Sequence, residues 1–184
     1  MYLSDNDIRK GVQDGTIRIT EFDEKRLQPA SYDIRLADTF LIVKPHSIHA
    51  IDPVNKILPE YEKVVVTQEE GFILRPGVTV LGMSVEEFGS YDYLTHLSGK
   101  SSLARLGLVV HNTAGLINPG HFLHITFELA NMSSIPIILR PDMEIAQILF
   151  STLSSVPQRN YQKTGRYKDG AENFTSYVHK NEGS

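Results

Sequence analysis

The sequence predicts a mainly β protein, a sandwich or distorted barrel with a short helix at the start of the chain and another near its middle. Apolar residues alternate with polar or small ones over many short runs, and turn residues separate those runs. A helical period appears only twice. The 184 residues suit one domain with a substantial core. We divide the chain into a β domain over 1–156 and a C-terminal arm over 157–184.

Ser4-Asp5-Asn6-Asp7 reads as a capping box, and Ile8 and Val12 follow at i and i+4, so a helix opens the chain and stops near Gly15. Alternation then takes over at Ile17 and Ile19, at Tyr32, Ile34 and Leu36, and at Phe40 and Ile42. Runs over 63–66, 72–75 and 78–82 continue it, and Pro76-Gly77 predicts a hairpin between the last two. Ser101 or Ser102 can cap the central helix, with Leu103 and Leu106 facing inward and Gly107 ending it. Strands resume over 108–111, 125–129, 135–139 and 145–150, with turns at Asn118-Pro119-Gly120 and Arg140-Pro141-Asp142.

A net charge of -4 with 22% charged residues argues against a general nucleic-acid binder. With no cysteine there is neither disulfide nor thiolate-held zinc, which is compatible with a reducing cytoplasm. No charged leader precedes an apolar block, and no run approaches the roughly 18 apolar residues that span a bilayer. The expectation is a soluble cytoplasmic protein without a membrane partner.

The block from Gly99 to Gly107 carries the strongest chemical signal. Lys100, Ser101, Ser102 and Arg105 each supply a donor suited to phosphate oxygens. It is not a P-loop, because Leu94 stands where the first glycine of that motif is needed. The nucleophile-elbow pattern fails as well, with Leu103 in place of its last glycine. In Ile125-Thr126-Phe127-Glu128-Leu129, alternation sends Thr126 and Glu128 away from the apolar face. Alone, Glu128 reads as a glutamate on the solvated side of an edge strand. In a cleft with Ser101 and Arg105, it could take a proton from a water that those two hold.

His121 and His124 lie three apart, on opposite faces of a strand, and cannot jointly ligate a metal unless a turn reorients one of them. Beyond Ser154 the periodicity dissolves, and Arg159, Lys163, Arg166 and Lys168 interleave with Tyr161 and Tyr167. This segment is either a solvated tail or a lid that closes over a base and a phosphate chain.

Several ordered motifs together resemble the dCTP deaminases, which share a fold with trimeric dUTPases. They are Gln28-Pro29-Ala30-Ser31-Tyr32-Asp33-Ile34-Arg35-Leu36, the Gly99 to Gly107 block, His111-Asn112-Thr113-Ala114-Gly115, the Glu128 strand, Arg140-Pro141 through Gln147, and the Tyr161/Arg166-Tyr167 tail. The resemblance implies a distorted β-barrel or jelly roll of the dUTPase-like type, assembled as a homotrimer with active sites at subunit boundaries and the arm closing over them. It implies metal-free deamination of dCTP to dUTP and ammonia, a step toward dTTP precursors. Glu128 would be the general base acting at C4 of cytosine. Ser101 and Arg105 would hold the water and Glu128, and the Ala114 backbone would contact the amino group or the water. Lys100 and Ser102 would face phosphate, Thr126 and Phe127 would read the pyrimidine through backbone groups, and Tyr161 and Arg166 would cover sugar and triphosphate. Magnesium would ride on the nucleotide, and no zinc is implied.

Three positions depart from the family pattern. Asn118 replaces a usual Asp that contacts the deoxyribose 3'-hydroxyl and helps position hydrolytic water in relatives that cleave the triphosphate. An amide still binds sugar but makes a poor base. His121-Phe122-Leu123 replaces a segment that commonly ends in glycine, and Gly170 lies near a usual glutamine. Against these, Gly115 after Thr113-Ala114 is more like members that carry dCTP through to dUMP, and like dUTPases. Three readings follow: a dCTP deaminase releasing dUTP; a bifunctional enzyme giving dUMP, or a dUTPase; and a non-catalytic nucleotide-binding regulator. Glu128 argues against the third.

Overall fold

The Ser4 side chain accepts from the Asp7 N–H and the Asp7 carboxylate accepts from the Ser4 N–H, so the predicted capping box opens helix α1, Asp5–Asp14. Gly15, at φ 80°, ends it in the left-handed conformation that glycine adopts without strain. The computed structural model describes residues 1–159 and 161–165. Its strands are β1 Ile17–Ile19, β2 Leu27–Gln28, β3 Ser31–Arg35, β4 Thr39–Val43, β5 Tyr61–Val65, β6 Phe72–Leu74, β7 Thr79–Ser90 and β8 Leu94–Gly99. Helix α2, Ser101–Ala104, leads to β9 Leu108–Val109, β10 Leu116–Ile117, β11 Leu123–Asn131, β12 Ile137–Leu139 and β13 Glu144–Ser151, and α3 is Tyr161–Thr164.

One sheet runs β5-β4-β7-β11-β9 with β1 also on β7, a second runs β10-β8-β13-β3-β2, and β12 pairs with β6 apart from both. The pairings are antiparallel. Phe40, Phe88 and Phe127 from the first sheet share one buried cluster with Tyr32, Ile34, Ile148 and Phe150 from the second. Each such side chain contributes roughly 1.5–3 kcal/mol by leaving water. The result is the mainly β architecture that the strand pattern predicts, compatible with the distorted barrel or jelly roll that the resemblance implies, with sheets that do not close into a continuous barrel.

The structure departs from the sequence reading at several local points. Pro76-Gly77 does not join a hairpin: β6 pairs with β12, β7 pairs with β11 and β4, and the Gly77 N–H donates to Asn131 O. Alternation identifies strands but not their partners, which long-range packing chooses. β8 was not anticipated, because Thr95 occupies a buried position beside Leu97 and blurs the apolar alternation. Leu106 does not face inward. α2 is a single turn that ends before it, and the side chain is 62% exposed while Leu103 packs against the core.

Buried charge ties β3 to β7. Glu86 is fully buried, and its carboxylate accepts from Arg35 Nε at 2.7 Å and from the Arg35 backbone N–H at 2.8 Å. Burial opposes the charge on the Arg35 guanidinium, but Glu86 and Glu21 outweigh it and hold the group more firmly protonated than usual. Tyr32 stacks on Phe22, and its hydroxyl accepts from Arg26 Nε and the Asp23 N–H.

Candidate active site

Glu128 lies on β11, where Ile125, Phe127 and Leu129 are buried and Thr126 and Glu128 are half-buried on the opposite face, as the alternation predicts. Along one edge β11 pairs with β7 from Leu123 to Ala130, but on the other edge β9 covers only Ala130 and Asn131. The stretch beside Thr126, Phe127 and Glu128 is therefore an open strand edge with no ladder partner among the described residues. Such an edge offers backbone donors and acceptors to a ligand. One carboxylate oxygen of Glu128, Oε2, accepts from the Asn112 backbone N–H at 2.9 Å. That bond fixes the side chain and leaves Oε1 free among the described residues.

The Gly99 to Gly107 block sits where β8 leaves the second sheet. Neither Ser101 nor Ser102 caps α2: the N-cap is Lys100, and no side chain caps the turn. The Lys100 ammonium lies 2.6 Å from Asp33 Oδ2 on β3 and 2.7 Å from Glu144 Oε2 on β13. Burial disfavours its charge, and the two carboxylates overcompensate, so its pKa is raised. Ser101, Ser102 and Arg105 are exposed, and none makes a side-chain hydrogen bond or ion pair among the described residues. Gly107, at φ 88°, turns the chain into β9, and a Cβ there would lie 2.8 Å from Ser133 N. The Met132 N–H donates to Gly107 O, which sets that turn level with Met132. At about 3.3 Å per strand residue the turn is about 13 Å along β11 from Glu128. No hydrogen bond or ion pair joins Glu128 to Ser101 or Arg105 within the protomer.

Ala114 is exposed in the loop before β10, and its N–H and C=O have no partner among the described residues. Gly115 O accepts from Leu97 N–H at 2.7 Å, and a Cβ on Gly115 would press to 2.9 Å from Leu97 O and 3.1 Å from His111 Cε1. His111 Nδ1, just behind, is buried without a hydrogen-bond partner. A separate cleft of about 340 Å³ is lined by Leu94, Asn118, Pro119, Leu153, Pro157, Arg159 and Tyr161. It brings the start of the arm against the Asn118 turn, and Glu128 is not among its lining residues. Tyr161 stacks on His121 with ring centroids 4.1 Å apart, and burial pushes the His121 imidazole down to about 4. His124 Nδ1 instead lies 3.3 Å from Ser84 O. Arg166, Tyr167, Lys168 and Gly170 fall outside the described residues.

Sequence reasoning gave Lys100 a place in the site but gave none to the residues around it. Asp33 also accepts from Gln28 Nε2, while Gln147 accepts from Ser31 Oγ and donates to Gly99 O. The 28–36 motif and Gln147 thus brace the start of the Gly99 to Gly107 block. A signal was present in Ser31 and Asp33, polar residues that alternate with Tyr32 and Ile34 yet are buried, since such groups need partners.

A family model described as dCTP deaminase-like matches residues 2–153. A protein of Beutenbergia cavernae named dCTP deaminase, dUMP-forming is 43% identical over 163 residues, covering 88% of this chain and 84% of its own. One of Tropheryma whipplei with the same name is 43% identical over 162 residues, covering 88% and 83%. The 2'-deoxycytidine 5'-triphosphate deaminase structure from Agrobacterium tumefaciens superposes with a TM-score of 0.64 at 22% identity, over 83% of this chain and 48% of that one. This chain thus spans about half the length of that protein. The EIAV dUTPase gives a TM-score of 0.50 at 16% identity, covering 78% and 92%. At those identities the two structures speak for the fold alone. The long match and the two relatives settle descent: the chain belongs to the dCTP deaminase-like family.

Proposed function

We propose that this chain is a hydrolytic deaminase of dCTP, working as a homotrimer in the cytoplasm, and that it carries the nucleotide through to dUMP. The single observation that carries the chemistry is Glu128, held at an open strand edge by one hydrogen bond with its second oxygen free. The free oxygen takes a proton from water, the water attacks C4 of cytosine, and the proton then passes to the departing ammonia. General-base help of this kind contributes roughly 10²–10⁴-fold. Backbone groups of Thr126 and Phe127 along the open edge, with those of Ala114, read the pyrimidine.

Ser101 and Arg105 orient the water and the carboxylate from a neighbouring protomer. Supporting this reading, both are exposed, neither has a side-chain partner among the described residues, and no hydrogen bond or ion pair joins either to Glu128. A second copy completes the site. Substrate arrives with magnesium on its phosphates, which Lys100 and Ser102 face, while Asn118, Tyr161 and Arg166 enclose the sugar and triphosphate.

The dUMP product is favoured by the names of the relatives at 43% identity and by the crowded glycine at 115. A second reading, release of dUTP, rests on Asn118, whose neutral amide makes a poor base. Purified protein given dCTP and magnesium is assayed for ammonia and resolved by chromatography. Ammonia with dUMP and pyrophosphate is expected. Ammonia with dUTP selects the second reading, and binding without ammonia refutes deamination.

A further inference from the structure

Lys100 is read above as a phosphate-facing residue, yet its ammonium stands between two carboxylates, Asp33 at 2.6 Å and Glu144 at 2.7 Å. One positive charge facing two negative charges leaves the cluster net negative, which repels an incoming polyphosphate rather than attracting it. The two carboxylates differ in their surroundings. The Asp33 side chain is 5% exposed and also takes a hydrogen bond from Gln28, so it is a fixed part of the second sheet. The Glu144 side chain is 42% exposed and has Lys100 as its one side-chain partner among the described residues. It stands at the first residue of β13, beside an irregularity in the β13–β3 register.

We propose that Glu144 gates the polyphosphate site: its carboxylate occupies the Lys100 donor that a substrate phosphate oxygen takes, and substrate binding must displace it. Asp33 keeps Lys100 in place during the exchange, and the ammonium trades one exposed carboxylate for a phosphate oxygen. Once displaced, Glu144 still repels the bound polyanion, so the residue lowers affinity for triphosphate without touching the reacting base. This inference rests on the phosphate-facing reading of Lys100 under the proposed function.

Inorganic tripolyphosphate is the probe, titrated calorimetrically into the full-length protein and its Glu144→Gln and Lys100→Gln variants. Removing one exposed like charge should tighten binding by roughly two- to five-fold in Glu144→Gln, and the gain should shrink as salt rises. Lys100→Gln should weaken binding. In turnover, the KM for magnesium-dCTP should fall by the same factor in Glu144→Gln with kcat unchanged, because the gain is made equally in ground and transition states. The melting temperature should move by no more than about 2 °C, as for an exposed substitution. Unchanged or weaker tripolyphosphate binding in Glu144→Gln, or no binding to any of the three proteins, overturns the proposal. Normal binding by Lys100→Gln removes its premise. Absence of ammonia release removes the deaminase reading and leaves the calorimetric result to stand on its own.

Discussion

Two polar regions of this molecule are built from the same residue types and behave in opposite ways. Around Glu86, the Arg35 guanidinium and backbone N–H both donate to the carboxylate, Arg26 lies 3.8 Å away, and Arg35 reaches on to Glu21 and Asp142. Around Glu128, one backbone N–H is the sole described partner, and the Ser101 hydroxyl and Arg105 guanidinium have no side-chain partner among the described residues. A buried charge without partners would cost several kcal/mol, so the first region has to close on itself within one chain. The second can stay open because it is half-exposed, and an open carboxylate is what a water and a base require.

The largest effect expected from that contrast is on turnover. Glu128→Gln keeps the shape and the Asn112 contact but removes the proposed base, and should lower deamination by about 10²–10⁴-fold with little change in melting temperature. Retained activity would place the base elsewhere. Next comes Arg35→Leu, which strands the Glu86 carboxylate in the core. It should cost about 3–5 kcal/mol in urea or thermal unfolding, enough to lower the melting temperature by roughly 6–20 °C. A loss below about 1 kcal/mol would mean that Glu86 is not dependent on its partner.

A smaller effect is pH-dependent. His121 against Tyr161 is held neutral, its pKa pushed by burial from 6.5 to about 4, so the folded state binds fewer protons than the unfolded state between those values. The stabilisation from this contact is complete above about 6.5 and is lost as pH falls through about 4. Proteolysis after Arg159 should therefore accelerate across that window, and His121→Phe should flatten the profile. Acceleration on raising the pH would contradict the contact. The smallest effect belongs to a surface pair. Arg9, 2.9 Å from Glu24, can be changed to Ala with almost no loss of stability in urea, because water replaces the lost contact. A larger loss would show that surface pairs here behave like the core.

The fold class and the opening helix were legible because their causes are local. Ser4 and Asp7 cap their own helix, and alternation at Tyr32 and Ile34 or at Phe127 and Leu129 records which face is dry. Pairing was not legible: nothing in 72–74 says that its partner is Ile137–Leu139 rather than the strand four residues on. Within the site, Glu128 could be placed on the correct face, and Ser101 and Arg105 could be set in one short block. That Lys100 spends its charge on Asp33 and Glu144 could not be read, since those residues are 67 and 44 positions away. Leu106 was misjudged for a related reason. Its helical phase counts only if the helix continues, and α2 stops at Ala104.

The central claim is that Glu128 of one protomer works with Ser101 and Arg105 of another, and co-assembly of two inactive variants tests it most directly. Glu128→Gln and Arg105→Leu chains, each nearly inactive alone, are co-expressed with different tags and the mixed oligomer is purified and assayed with dCTP. If each site draws on two chains of a trimer, every mixed trimer holds one site in three with both native residues, and activity should return to about a third of the unaltered enzyme. If activity in the mixed oligomer stays at the level of its two parents, the carboxylate and the guanidinium belong to the same chain and the account is wrong.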